Sequence, residues 1–158
     1  MPNDFEGMVG ALSEAKALAI AAYGESVAAY RYRTLAEKAT TDQHRAVFVA
    51  MAEEEQGHHA ALKDIMATRF PQSDFVLSPE DKDLVIVGSR MLDMSTEDAF
   101  RKALELIYDS ERQTGRFYAA LNDVTSLGHL KPLLKEMADE CFEHAARLKS
   151  IPPMPWSG

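Results

Sequence analysis

Cysteine is almost absent. Cys141 stands alone in a chain of 158 residues, which rules out an internal disulfide framework and any Cys-x-x-Cys metal knuckle. Positive charge is also short, because 17 Lys and Arg against 25 Asp and Glu leave a formal charge of -8 at pH 7. Nonspecific binding to nucleic acid needs a basic face that displaces counterions from phosphates, so no nucleic acid is expected as a partner. Nowhere does an apolar run approach the roughly eighteen residues that a membrane span requires, and no membrane is expected as a partner either. The opening MPNDFEGMVGAL puts acidic rather than basic residues ahead of its apolar stretch, unlike a secretory signal, and the expected compartment is the cytoplasm.

What is present is a globular composition, 46% hydrophobic and 27% charged, in a length that suits one domain, residues 1–158, rather than two. The stretch from Ala11 to Ala39 is rich in Ala, Leu, Glu and Lys and predicts a helix whose weak point is Gly24. Thr40 and Thr41 then offer an N-cap, with Gln43 placed for a capping box on Thr40, ahead of a second helix to about Thr68. From Arg69 to Met94 the helical pattern breaks at Pro71 and Pro79, and a short apolar patch, Leu84 to Val87, precedes Gly88. This predicts a long crossover with room for a short helix. Ser95 with Asp98, or Thr96, caps a third helix to about Leu121, and Ser126 to His129 begin a fourth that ends before Pro152-Pro153. Pro132 is tolerated only near that helix's first turn. The fold class is therefore all-α, a four-helix bundle of two helix pairs joined by a long crossover at about 69–94.

The two halves repeat. Adding 86 to a position in the first pair gives its counterpart without a gap: Leu18 and Leu104, Glu25 and Glu111, Tyr32 and Tyr118, Met51 and Met137, Glu54 and Glu140, His58 and His144, Leu62 and Leu148. Register kept across two helices and a turn suggests duplication.

Steps of three and four residues trace one face of each helix. They read Leu18, Ala22, Glu25, Ala29, Tyr32 in the first and Phe48, Met51, Glu55, His58, Leu62 in the second. The third gives Leu104, Ile107, Glu111, Thr114, Tyr118, and the fourth Leu134, Met137, Cys141, His144, Leu148. Each apolar stripe is thus interrupted near its middle by a potential metal ligand, and no stripe holds a Lys or Arg to neutralise it. A single Glu on such a stripe reads as a rim residue and a single His as a hydrogen-bonded core residue. Three carboxylates with two imidazoles at matching depth read differently: buried carboxylates without partners cost several kcal/mol, and divalent cations supply the missing charge. Glu55-x-x-His58 has the i, i+3 spacing that di-metal bundles use. Tyr32 and Tyr118 are core aromatics or, two turns from their Glu on the same face, donate to a carboxylate ligand of a neighbouring helix.

These residues resemble the rubrerythrin branch of the ferritin-like superfamily, whose pattern is Glu with Tyr seven residues on, then Glu-x-x-His, repeated in the second half. Here it reads Glu25 with Tyr32, Glu55-x-x-His58, Glu111 with Tyr118, and Cys141-x-x-His144, over about Ala11 to Ile151. The resemblance implies a non-haem di-iron oxidoreductase that reduces hydrogen peroxide or dioxygen. In it Glu25 and Glu111 are terminal or bridging carboxylates, Glu55 a bridge, His58 and His144 imidazole ligands, and the two tyrosines orient ligands. Two metal ions are expected, with iron first and zinc or manganese as alternatives. Cys141 departs from the pattern, standing where the second bridging Glu belongs. As a thiolate ligand it would favour zinc or alter an iron potential; the other reading is an inert buried thiol. Glu140 is either a substitute ligand or a solvated rim carboxylate. The four-cysteine rubredoxin-like centre that usually accompanies such bundles has no counterpart, so electrons are expected from a separate donor such as a rubredoxin-type protein. Two alternatives are iron handling as a ferroxidase and a redox-silent structural zinc bundle. The apolar Leu84 to Val87 patch predicts a homodimer contact.

Overall fold

Three of the four long helices begin at a hydroxyl. In the computed structural model, which describes residues 4–156, Ser13 Oγ accepts from Lys16 N at 3.2 Å, Thr41 Oγ1 from His44 N at 3.0 Å and Thr96 Oγ1 from Ala99 N at 3.1 Å. Each satisfies an orphan amide of the first turn. The elements are α1 (Phe5–Gly10), α2 (Glu14–Lys38), α3 (Asp42–Arg69), α4 (Pro79–Asp83), α5 (Glu97–Val124) and α6 (Lys131–Ser150). The last long helix, α6, has no side-chain cap; a 3-10 turn, Gly128–Leu130, leads into it, and Pro132 sits in its first turn, where no amide is missed.

Several helix ends differ from expectation for local reasons. Helix α2 starts at Glu14 rather than Ala11 because Ser13 takes the cap, and the residues before it form α1, whose Val9 is fully buried. The box expected between Thr40 and Gln43 does not form. Thr41 caps α3, and the Thr40 hydroxyl donates to Pro155 O in the C-terminal tail. Helix α5 runs on to Val124, and residues 125–127 are a loop rather than the start of α6. The tail is held across the α2–α3 turn: His44 Nε2 donates to Pro152 O at 2.8 Å, and the Trp156 ring lies 5.6 Å from that of Phe100.

Helix α2 pairs with α3 and α5 with α6, and the crossover, residues 70–96, lies on the outer side of α2 and α5. This explains why α2 is buried round more than one stripe. Lys16 pairs with Asp81 at 3.2 Å, Tyr23 and Tyr30 stack under Lys82 and Arg90, and Gly24 lies beneath Val85. A Cβ at position 24 would come 3.0 Å from Val85 Cβ, so any larger residue would press on the valine. Leu84, Val85 and Ile86 are buried in the chain's own core. The apolar patch expected to mediate a homodimer is therefore consumed internally, and the reason it gave for a dimer falls away.

The core forms two clusters. One gathers Leu18, Ile20, Leu62, Phe117, Leu134 and Met137; the other gathers Leu35, Phe48, Met51, Phe100, Ile107 and Leu148. In each of the four long helices the candidate ligand falls between the segments that feed these two clusters. Among the described residues no helix is long and apolar enough to cross a membrane.

Candidate metal centre

Glu25 of α2, Glu55 and His58 of α3, Glu111 of α5 and His144 of α6 converge between the two apolar clusters. The three carboxylates are 1%, 2% and 3% exposed. The side chains form two triads, Glu25, Glu55, His58 and Glu55, Glu111, His144, and within each the donor atoms lie within 4.8 Å of one another. Glu55 belongs to both, which is the position of a bridge. His144 Nδ1 stands 2.9 Å from Glu111 Oε2 and 3.3 Å from Glu55 Oε1. His58 Nδ1 stands 3.7 Å from Glu25 Oε1 and 3.6 Å from Glu55 Oε1.

That last nitrogen tests whether a metal fits. His58 Nδ1 is buried and has no hydrogen-bond partner, and its two nearest acceptors are beyond hydrogen-bonding range. A cation about 2.0–2.2 Å from each donor would lie among all three atoms and satisfy the nitrogen. The carboxylate and imidazole donor set suits divalent iron, manganese or zinc.

The outer edges of both imidazoles are fixed from across the bundle. His58 Nε2 donates to Glu140 Oε2 of α6 at 2.6 Å, and His144 Nε2 donates to Glu54 Oε2 of α3 at 2.6 Å. Each bond leaves Nδ1 as the inward donor atom and sets the ring's orientation. The tyrosines cross in the same way between α2 and α5, with Tyr32 donating to Glu111 Oε2 at 2.6 Å and Tyr118 to Glu25 Oε1 at 2.7 Å. All four crossings obey the sequence repeat.

The Rubrerythrin family model matches residues 16–95, half of the chain and all but the first two residues of its first helix pair. The chain belongs to the rubrerythrin family. In fold it is similar to a hypothetical protein from Pyrococcus furiosus, with a TM-score of 0.76 at 22% identity, over 88% of this chain and 87% of that one. Among curated proteins, none matches the chain. The matched range contains Glu25, Tyr32, Glu55 and His58; Glu111, Tyr118 and His144 lie outside it and are tied to it by the internal repeat.

Against the rubrerythrin pattern, the two uncertain positions take different places. Glu140 stands outside both triads, half-exposed at the surface, where it partners His58 as Glu54 partners His144. Cys141 is buried and likewise in neither triad. Burial, and then the negative charges of Glu111, Glu25 and Glu55, push its thiol well above the usual range, so in the ion-free molecule it is a neutral thiol.

The same charges set the protonation of the centre. Burial and the neighbouring Glu25 and Glu111 carboxylates push Glu55 up to about 8. Burial opposes charge on His58, but Glu25 and Glu55 outweigh it and push the imidazole up to about 11; Glu111 and Glu55 do the same to His144, also to about 11. In the ion-free molecule both imidazoles are therefore held in the charged form.

Opposite the histidines, between α2 and α5, a cavity of about 10 Å³ opens on all three carboxylates, with Ser110, Thr114, Val85 and Ile86 on its wall. It has room for about one water molecule. Arg31 also lines it, buried at 2% exposure. Sequence reasoning passed over this residue because it lies off the inward stripe. The available signal was a lone arginine on the Gly24, Val27, Arg31 face of an Ala-rich helix.

Proposed function

We propose that the chain is a non-haem di-iron oxidoreductase that reduces hydrogen peroxide or dioxygen. One observation carries the reading: two carboxylate and histidine triads share Glu55, and the side of the three carboxylates away from the histidines faces a cavity of one-water size. Glu25, Glu55 and His58 would hold one iron, and Glu55, Glu111 and His144 the other. When bound, the pair supplies the two electrons that, with two protons, turn one hydrogen peroxide into two waters.

The chain's own residues do the rest. Glu140 and Glu54 hold the two imidazoles in the tautomer that directs Nδ1 inward. Tyr32 and Tyr118, whose phenols burial keeps protonated, each hold one oxygen of a carboxylate on the opposite helix pair. Val85, Ile86 and Ile107 exclude bulk water from the cavity. The electrons come from a donor outside these 158 residues, for which a rubredoxin-type protein is suited.

A second reading, a redox-silent zinc bundle, is favoured by Cys141 in place of the second bridging Glu. Metal content and absorption separate the two. The oxidoreductase takes up about two irons per chain under anaerobic ferrous loading and shows a near-ultraviolet band that bleaches on reduction and returns with peroxide. Zinc at about one per chain, with no spectral response to peroxide, would sink it in favour of the zinc bundle.

A further inference from the structure

Arg31 is the most deeply buried Lys or Arg among the described residues, and no carboxylate touches it. Its donors go instead to oxygens around the crossover. Nη2 reaches Val87 O at 3.0 Å and Ser89 O at 2.6 Å, Nε reaches Arg90 O at 3.4 Å, and Nη1 reaches Ser110 Oγ at 3.0 Å. Ser110 Oγ in turn accepts from Val87 N at 2.8 Å, and Thr114 Oγ1 donates to Val85 O at 2.9 Å. Burying a guanidinium without a counter-ion is costly, so a fork that spans three carbonyls of irregular backbone answers a geometric need. The backbone it grips includes Gly88 at φ 80°, which no helix or strand holds in place.

The location of that grip matters. Ser110 and Thr114 flank Glu111 on α5, Arg31 adjoins Tyr32 on α2, and Val85 and Ile86 form the wall of the cavity that faces Glu25, Glu55 and Glu111. Glycine at position 24 lets Val85 approach α2; nothing at that position pulls it in. Burial in the core and the Thr114 hydroxyl hold Val85 itself, while Arg31 and Ser110 hold the backbone that follows at Val87, Ser89 and Arg90, and only the arginine reaches several carbonyls at once.

We propose that Arg31 is a positioning residue whose guanidinium seats Val85 and Ile86 as the wall of the carboxylate-side cavity, and so limits the oxidant admitted to the size of hydrogen peroxide or dioxygen. The inference rests on the oxidoreductase reading. A staple that served stability alone would leave oxidant size without effect.

The test uses the full chain, loaded anaerobically with ferrous iron, and compares oxidation rates with hydrogen peroxide and with tert-butyl hydroperoxide. Wild type is expected to favour hydrogen peroxide strongly. Arg31→Met is expected to raise the tert-butyl to hydrogen peroxide rate ratio at least about tenfold, with iron per chain unchanged and faster hydrogen exchange at the Val87 amide in the ion-free protein. Val85→Ala widens the wall without touching the grip, and is expected to raise the ratio with Val87 exchange unaltered. An unchanged ratio in Arg31→Met despite faster Val87 exchange would overturn the inference, as would an unchanged ratio in Val85→Ala should Arg31→Met not fold. Wild type that binds iron and responds to neither peroxide would instead overturn the oxidoreductase reading, and this inference with it.

Discussion

Glu54 and Glu140 show how much a carboxylate can do without touching a metal. Each bonds to the outer nitrogen of a histidine on the facing helix at 2.6 Å, fixing tautomer and ring angle together. Replacing such a partner typically weakens metal binding about 10–100-fold, so Glu140→Gln is expected to lose affinity on that scale, measured by chelator competition; unchanged affinity would reduce Glu140 to a rim residue. The protonation of the imidazoles makes a second prediction. His58 and His144, pushed up to about 11 from 6.5, stabilise the ion-free fold in full below pH 6.5, and that contribution is lost as pH rises through about 11. A metal needs both Nδ1 lone pairs and the Glu55 carboxylate, which is pushed up to about 8, so loading at pH 7 should expel about three protons per chain and tighten as pH rises. Calorimetric titration in two buffers of different ionisation enthalpy checks this, since equal heats would mean no proton release. At this scale the sequence showed the inward residues, because Glu25, Glu55, His58, Glu111 and His144 share their helices' apolar spacing. It could not show the roles of Glu54, Glu140 or Arg31, since each lies off its stripe and acts across a gap that only packing defines.

Among the elements, the crossover departs most from what its sequence suggests. Four apolar residues between Asp83 and Gly88 read as an exposed patch, and only the companion surface on α2 shows why three of them are buried. Gly24 is the clearest probe of that contact. In an exposed helix interior Gly→Ala gains about 1 kcal/mol, but here the new methyl meets a buried valine at 3.0 Å, and overpacking of this kind costs about 1–3 kcal/mol. Gly24→Ala is therefore expected to destabilise the chain by about 1 kcal/mol net, read from the urea midpoint at constant m-value; a stabilised variant would show that the crossover yields freely. The short α1 escaped notice because six residues are too few to display a helical period. The long helices were legible because each carries its own cap or apolar rhythm.

The whole bundle is two apolar clusters with a charged layer between them, and metal should act on the molecule as a cross-link of that layer. Ligand at about one hundred times Kd adds about 2.7 kcal/mol to stability, which for a chain of this length raises the unfolding midpoint by about 5–10 °C. Melts followed by circular dichroism with and without chelator test this, and coincident curves would show that no metal is held between the helices. The bundle's topology was readable because the repeat and the proline-broken crossover both sit in the sequence. The docking of the tail through Pro152 and Trp156 was not, since those contacts have no period and depend on where the helix ends fall.

Cys141 also breaks the symmetry between the two halves of the chain. Two identical hairpins associated about a twofold axis must present the same residue at equivalent positions, so an unlinked pair holds two bridging glutamates or none. One Glu55 opposite one Cys141 is a state that a pair of identical hairpins cannot occupy. A single chain holding both halves is free of that constraint, because one half can change while the other keeps its glutamate.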